Sequence, residues 1–219
     1  AVGAPYDAEC ALDLSVQALS ALSGAGRPDR AETAVKTALS LVDFKAGVVK
    51  SMDPPFVVGR DTSGTAALPP GVKDNGGQRT SEAVGYIRAL YALGQKEAAY
   101  KLIETINPVR HGKTDGDNYR VEPYVLADDV GAGRYKGRGG RTWYGGAASA
   151  LYACFVEDLL GLHRRGKKVW LSPAPPAQFK EITIRLRYDC GCLTVIIDNT
   201  SAKGEWKTIV DGIAYNTNE

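Results

Sequence analysis

The hydrophobic period of this chain changes once, after Arg165, and that change limits what it can fold into. Upstream, apolar residues recur every three or four positions and their runs end at helix-stopping residues. Leu12, Val16, Leu19 and Leu22 predict a helix over 10–23, closed by Gly24. Ala31, Ala34, Val35, Ala38, Leu39 and Val42 form a stripe over 29–42, directly after Pro28. Val84, Ile87, Leu90, Tyr91 and Leu93 predict a helix over 80–93 that stops at Gly94. Ala98, Ala99, Leu102 and Ile106 predict another over 96–106, ending before Asn107-Pro108. Ala147, Ala148, Leu151, Tyr152, Phe155, Leu159 and Leu160 predict a buried helix over 142–162. Helices joined by short loops read as antiparallel hairpins. Downstream, Ile182, Ile184, Leu186 and Tyr188 alternate with polar residues, the period of a half-buried strand. A second strand over 193–197 follows Gly191, and 206–210 and 213–215 flank Asp211-Gly212, a hairpin signal. The expectation is a mainly α chain: helical hairpins over 1–166, then a small antiparallel β-sheet over 167–219.

Two long Gly-rich stretches, 52–77 and 109–141, interrupt the helices. Loops of that length in a compact domain usually bind something. Lys plus Arg (27) and Asp plus Glu (25) nearly balance, so charge gives no drive toward nucleic acid or acidic membranes. The basic residues do cluster, at Arg134, Lys136, Arg138 and Arg141, and at Arg164, Arg165, Lys167 and Lys168. The second cluster reads as cations closing a helix. No run approaches the roughly 20 apolar residues of a membrane span. Residues 1–9 lack the basic and apolar regions of a secretory signal, which points to a cytoplasmic protein. Cys190 and Cys192 share a spacing that puts both thiols on one face of a strand. With Cys10 and Cys154 they are expected to be reduced thiols, since no metal or disulfide pattern surrounds them. His111 and His163 form no nucleophile or metal set, and His163 reads as solvated at a helix end. No cofactor is implied.

Three segments carry the functional signal: Lys73-Asp74-Asn75-Gly76-Gly77-Gln78, the run from Tyr119 to Val125, and the run from Gly137 to Gly146. In this order they resemble the C-terminal half of the inverting disaccharide phosphorylases, glycoside hydrolase family 94. The nearest pattern is the phosphorylase-like part of cyclic β-1,2-glucan synthases. There the segments read approximately R-E-N-G-G-Q-Y-T-H, Y-x-V-E-P-Y-V and G-R-G-G-W-T-W-Y-T-G, and line the pocket of an (α/α)6 barrel. The resemblance therefore implies a partial (α/α)6 barrel here.

Inverting phosphorolysis needs a carboxylic acid to protonate the glycosidic oxygen while phosphate attacks from the opposite face. The resemblance implies an Asp in a W-N-D-G motif, which these 219 residues lack, so no catalytic residue is assigned. Ser81 stands where the family has a phosphate-binding His, and Gly145 where it has a Thr. Backbone N–H groups at Gly145 and Gly146 could still face an anion. The sugar contacts implied are Lys73, Asp74, Gln78, Thr80, Glu122, Tyr124, Arg138, Thr142 and Trp143. Arg79 replaces a Tyr, Arg141 replaces a Trp, and Leu68 stands where the family often has Tyr. The residues alone also allow plainer readings. Asn75-Gly76-Gly77 can be a tight turn with Thr80 as a helix cap, Arg138-Gly139-Gly140 a flexible loop, and Glu122 a carboxylate paired with an arginine.

Two functions follow as expectations. The chain is the C-terminal portion of a carbohydrate-active enzyme, binding a β-linked glucan or disaccharide with inorganic phosphate as a further ligand. Phosphorolysis or glycosyl transfer would then need the sequence that holds the acid. Alternatively, it is a non-catalytic carbohydrate-binding or interaction module derived from that family. Half a barrel would leave stripes such as Val84-Ile87-Leu90-Tyr91 or Leu151-Phe155-Leu159 partly uncovered, which predicts a dimer, pairing with a missing N-terminal half, or rearrangement into a compact helical bundle with the sheet as a lid.

Overall fold

A computed structural model describes residues 8–57, 64–188, 191–200 and 207–215. The chain divides into two compact units, Ala1–Cys154 and Phe155–Glu219.

The first unit is built around one helix. Six helices run α1 (Leu14–Leu22), α2 (Pro28–Ala38), α3 (Thr80–Ala92), α4 (Lys96–Thr105), α5 (Pro108–Tyr119) and α6 (Ala147–Ala153). α3 packs against α1, α4 and α6. It buries Thr80, Ala83, Val84, Tyr86, Ile87, Ala89, Leu90 and Tyr91, more than one face of a helix. The Tyr86 hydroxyl donates to the Val35 carbonyl at 2.7 Å and ties α3 to α2. α1 starts at Asp13, whose carboxylate accepts from the Val16 N–H at 2.9 Å. α2 starts at Pro28, where a missing N–H costs nothing. Gly94, at φ 71°, ends α3 in the left-handed region and turns the chain into α4.

The loops between these helices carry short strand pairs. β1 (Leu12–Asp13) pairs with β4 (Met52–Asp53), and β2 (Val42–Asp43) with β3 (Val48–Val49). β5 (Gln78–Arg79) pairs with β6 (Asp129–Val130), opposing Arg79 to Asp129 and so joining the two long Gly-rich stretches. Val48, Tyr119, Ala127, Val130 and Ala132 form a buried cluster with this pair.

The second unit is made of hairpins. β7 (Leu162–Arg165) pairs with β8 (Lys168–Leu171), β9 (Glu181–Tyr188) with β10 (Gly191–Asp198), and β11 (Thr208–Val210) with β12 (Ile213–Tyr215). In β9 the apolar residues Ile182, Ile184 and Leu186 are half-buried and their neighbours exposed, as the alternation predicts. Asp211 and Gly212 both take positive φ, 49° and 82°, as a two-residue hairpin turn requires.

Several expectations are corrected here. The partial (α/α)6 barrel is not formed: α3 is enclosed by other helices instead of standing in a ring wall. The expected C-terminal sheet is a set of hairpins, since every sheet among the described residues has two strands. Val84, Ile87 and Leu90, at most 1% exposed, are covered, whereas Val16 and Leu19 on α1 are each 60% exposed. α1 is packed through Leu14 and Ala18 instead of the stripe the spacing suggested. The stretch 109–141 contains a helix, because Asn107 caps α5 through Val109 N–H at 2.9 Å and Pro108 opens it. The helix expected over 142–162 is only α6, followed by a π-helical turn at Cys154–Leu159. Arg164, Arg165, Lys167 and Lys168 lie on the β7–β8 hairpin and close no helix. His163 is on β7, stacked on Trp170 with ring centroids 5.3 Å apart. Its Nε2 lies 3.1 Å from the Ser172 hydroxyl. Among the described cysteines, Cys10, Cys154 and Cys192 form no disulfide, and Cys190 lies outside the described residues.

Candidate functional site

The first segment is held by a buried asparagine. Asn75 is fully buried and uses its whole side-chain amide: Oδ1 accepts from the Phe56 N–H at 2.7 Å. Its Nδ2 donates to the Phe56 and Leu68 carbonyls at 3.0 and 2.7 Å. The Ser51 hydroxyl is within 3.1 Å of the Lys73 carbonyl and 2.8 Å of the Asp74 carbonyl. Lys73 itself has a left-handed φ of 48°. Asn75-Gly76-Gly77 is thus a structural turn, and what it presents is Lys73 and Asp74.

Strand alternation then sorts the next three residues. Gln78 is buried, with Oε1 accepting from the Val49 N–H at 2.9 Å and Nε2 donating to the Thr80 hydroxyl at 3.1 Å. Thr80 is buried too and donates to the Ala127 carbonyl at 2.6 Å. It is the first residue of α3, and its side chain is not a cap. Both hold the β5–β6 junction together. Arg79 points the other way, and its Nη1 donates to the two Asp74 oxygens at 3.1 and 3.0 Å.

Ser81 and Glu82 follow in the first turn of α3. Burial, then the carboxylates of Asp74 and Asp13, push the Glu82 carboxyl from near 4.5 up to about 7, against the opposing pull of Arg79 and the Ser15 hydrogen bond.

The third segment is clasped through Arg141 to the acids that follow the second. Its Nη2 donates to Asp128 at 2.6 Å and its Nε to Asp129 at 3.1 Å, so one guanidinium serves two buried carboxylates. Backbone bonds reinforce this: Asp128 N–H to the Arg141 carbonyl at 2.7 Å and Gly140 N–H to the Asp129 carbonyl at 2.8 Å. A Cβ at Gly140 would run into the Asp129 carboxylate, and one at Gly145 into that of Asp128. A side chain at either place would have to push aside a carboxylate that Arg141 holds.

Beyond this clasp the chain presents aromatic rings. Tyr124, Trp143 and Tyr144 are 74%, 78% and 75% exposed. Trp143 has a φ of 62°, an uncommon conformation for a bulky residue. Its indole N–H donates to a Glu122 oxygen at 3.0 Å, so among the described residues Glu122 pairs with Trp143 and not with an arginine. The Glu122 carboxyl is held below its usual range by its own backbone N–H, then by Trp143 and Thr142. The Arg141 guanidinium sits 5.2 Å over the Tyr144 ring. An open cavity of about 290 Å³ lies among Tyr124, Val125, Asp128, Trp143, Tyr144 and Gly145.

The structure thus gathers Glu122, Tyr124, Thr142 and Trp143 at one aromatic face and sets Lys73 and Asp74 beside Arg79. It turns Gln78 and Thr80 into the core. Arg138 is exposed, and its carbonyl accepts from the Gly131 N–H at 2.8 Å. Gly145 and Gly146 are exposed at the start of the seven-residue α6. Asp128, Asp129 and Glu82 were not singled out in the sequence. The adjacent acids before Val130, facing an Arg-rich loop, were the signal for the first two. Among the described residues no group of His, Cys, Asp and Glu is arranged to hold a metal.

Comparison with known proteins places these loops. The glycosyl hydrolase 94 superfamily, catalytic domain, matches residues 1–161. The chain is 35% identical over 209 residues to the cyclic beta-(1,2)-glucan synthase NdvB of Rhizobium meliloti (strain 1021), covering 93% of this chain and 7% of that protein. It is 24% identical over 210 residues to the cellobionic acid phosphorylase of Neurospora crassa, covering 92% of this chain and 26% of that protein. The chain therefore spans a small part of either relative. With three-quarters of its length matched to the family and a glucan synthase among its relatives, the chain belongs to the glycosyl hydrolase 94 superfamily.

Proposed function

We propose that this chain binds a β-linked glucose oligosaccharide on its Tyr124–Trp143 face, as the carbohydrate-contacting part of a glycan-processing enzyme of its family. One observation carries this reading: an exposed indole, fixed in position by Glu122, beside an open cavity. Aromatic faces take the apolar C–H side of a sugar ring, and nearby polar groups orient its hydroxyls. The relatives' names, a β-1,2-glucan synthase and a cellobionic acid phosphorylase, agree with a β-linked ligand. Calorimetric titration with sophorose, laminaribiose and cellobiose should show weak binding. Trp143→Ala should weaken it about tenfold, the upper end of what one aromatic contact contributes. Equal affinity in wild type and variant would place the ligand elsewhere.

A second reading, a carbohydrate-binding module without phosphorolytic chemistry of its own, is favoured by the charges at the two phosphate positions. Gly145 lies against the Asp128 carboxylate, and the Arg79 cation two residues before Ser81 is already engaged by Asp74. Both features oppose the binding of an anion.

A further inference from the structure

Of Gln78, Arg79 and Thr80, only Arg79 leaves the core, and it turns directly onto Asp74. We propose that Arg79 is a specificity-determining residue, capping Asp74 so that a neutral sugar cannot use this carboxylate. The wild-type chain then holds its ligand through the aromatic face without help from Asp74. This rests on the carbohydrate-binding reading above.

The cap is built from fixed parts. Asp74 sits in the turn fastened by Asn75 and Ser51, and Arg79 lies on β5, paired with Asp129 across the strand. The backbone thus sets where both side chains start, and the ordering left to do is that of the side chains themselves. Asp74, Glu82 and Asp128 all favour the Arg79 cation, Asp74 most strongly. The side chains are 43% and 29% exposed, so water reaches the pair without surrounding it. A guanidinium–carboxylate contact is charge-assisted, whereas sugar hydroxyls are neutral donors and compete poorly for the same oxygens. Arg79 thus offers no aromatic face of its own and occupies both oxygens of the neighbouring carboxylate.

The test is a double-mutant cycle on the full 219-residue chain, titrated with sophorose and cellobiose. Wild type, Asp74→Ala, Arg79→Ala and the double variant are compared. Asp74→Ala alone should change affinity by less than about twofold, and Arg79→Ala should raise it by about fivefold. The double variant should lose that gain. Thermal melting checks folding, and Asp74→Asn replaces Asp74→Ala where the latter melts early. No gain in Arg79→Ala overturns the cap, as does an Asp74→Ala loss equally large in both backgrounds. If wild type binds through Trp143 and Arg79→Ala adds nothing, the cap falls and the binding reading stands. If only Arg79→Ala binds, and through Asp74, the cap stands and the reading of wild type falls.

Discussion

Glu82 is the residue whose chemistry departs furthest from its ordinary behaviour, and it links the site to stability. Burial and two neighbouring carboxylates raise its folded value from near 4.5 to about 7. The sign follows from proton counting. Below pH 4.5 both states are protonated, and between 4.5 and 7 the unfolded chain releases a proton that the folded chain keeps. Stability contributed at this site therefore falls as pH rises through that window and levels off above it. The loss is on the order of 3 kcal/mol. Glu82→Gln should be the more stable protein at pH 8, with the advantage shrinking toward pH 4.5. Urea midpoints measured across this range decide it, and parallel profiles would rule out a raised carboxyl. The sequence could not show this residue's state. Its environment comes from Asp13, Asp74 and Ser15, which sequence spacing does not bring together.

At the scale of elements, local signals were legible where one residue type forces one geometry. Gly94, Pro28 and Asp211-Gly212 each act as read. α5 was hidden because Asn107-Pro108 serves equally as the stop of one helix and the start of the next. α1 was found but with the wrong face inward, since Leu14 and Ala18 pack while Val16 and Leu19 do not. α5 also carries a testable group. His111 is 5% exposed, its Nε2 has no hydrogen-bond partner among the described residues, and its ring stacks on Tyr119 at 4.7 Å. Burial, then Arg110, lower its proton affinity, against the Gly47 backbone and Asp115. On acidification below its ordinary value near 6.5, the unfolded chain takes up a proton that the folded chain resists, so stability falls as pH falls. His111→Phe keeps the stacking and removes the titration. Wild type should lose ground to this variant between pH 7.5 and 5, and a pH-independent difference would mean His111 titrates normally.

The whole molecule departs from expectation where long-range packing decides. Three loop segments kept their order, and with them the family assignment, but period and caps do not say which helix is surrounded. α3 is, and a ring of hairpins is not what these residues form. The same long-range packing sets the charge around Ser81 and Gly145. Strand pairing of β5 with β6 brings Asp128 and Asp129 beside Arg79, and Arg141 is engaged by those two acids. Arg79 and Arg141 are thus largely neutralised by neighbouring carboxylates. Phosphate should therefore not bind measurably. A ligand at a hundred times its dissociation constant would add about 2.7 kcal/mol of stability, so melting is a sensitive probe. At fixed pH and ionic strength, replacing chloride by 10 mM phosphate should leave the melting temperature within about one degree, a shift smaller than 1 kcal/mol would give. Incubation with sophorose, laminaribiose or cellobiose and phosphate should likewise release no sugar phosphate from this chain. A phosphate-specific rise in melting temperature that sulfate does not reproduce, or glucose 1-phosphate above a heat-killed control, would show that the carboxylates at Ser81 and Gly145 do not exclude the anion.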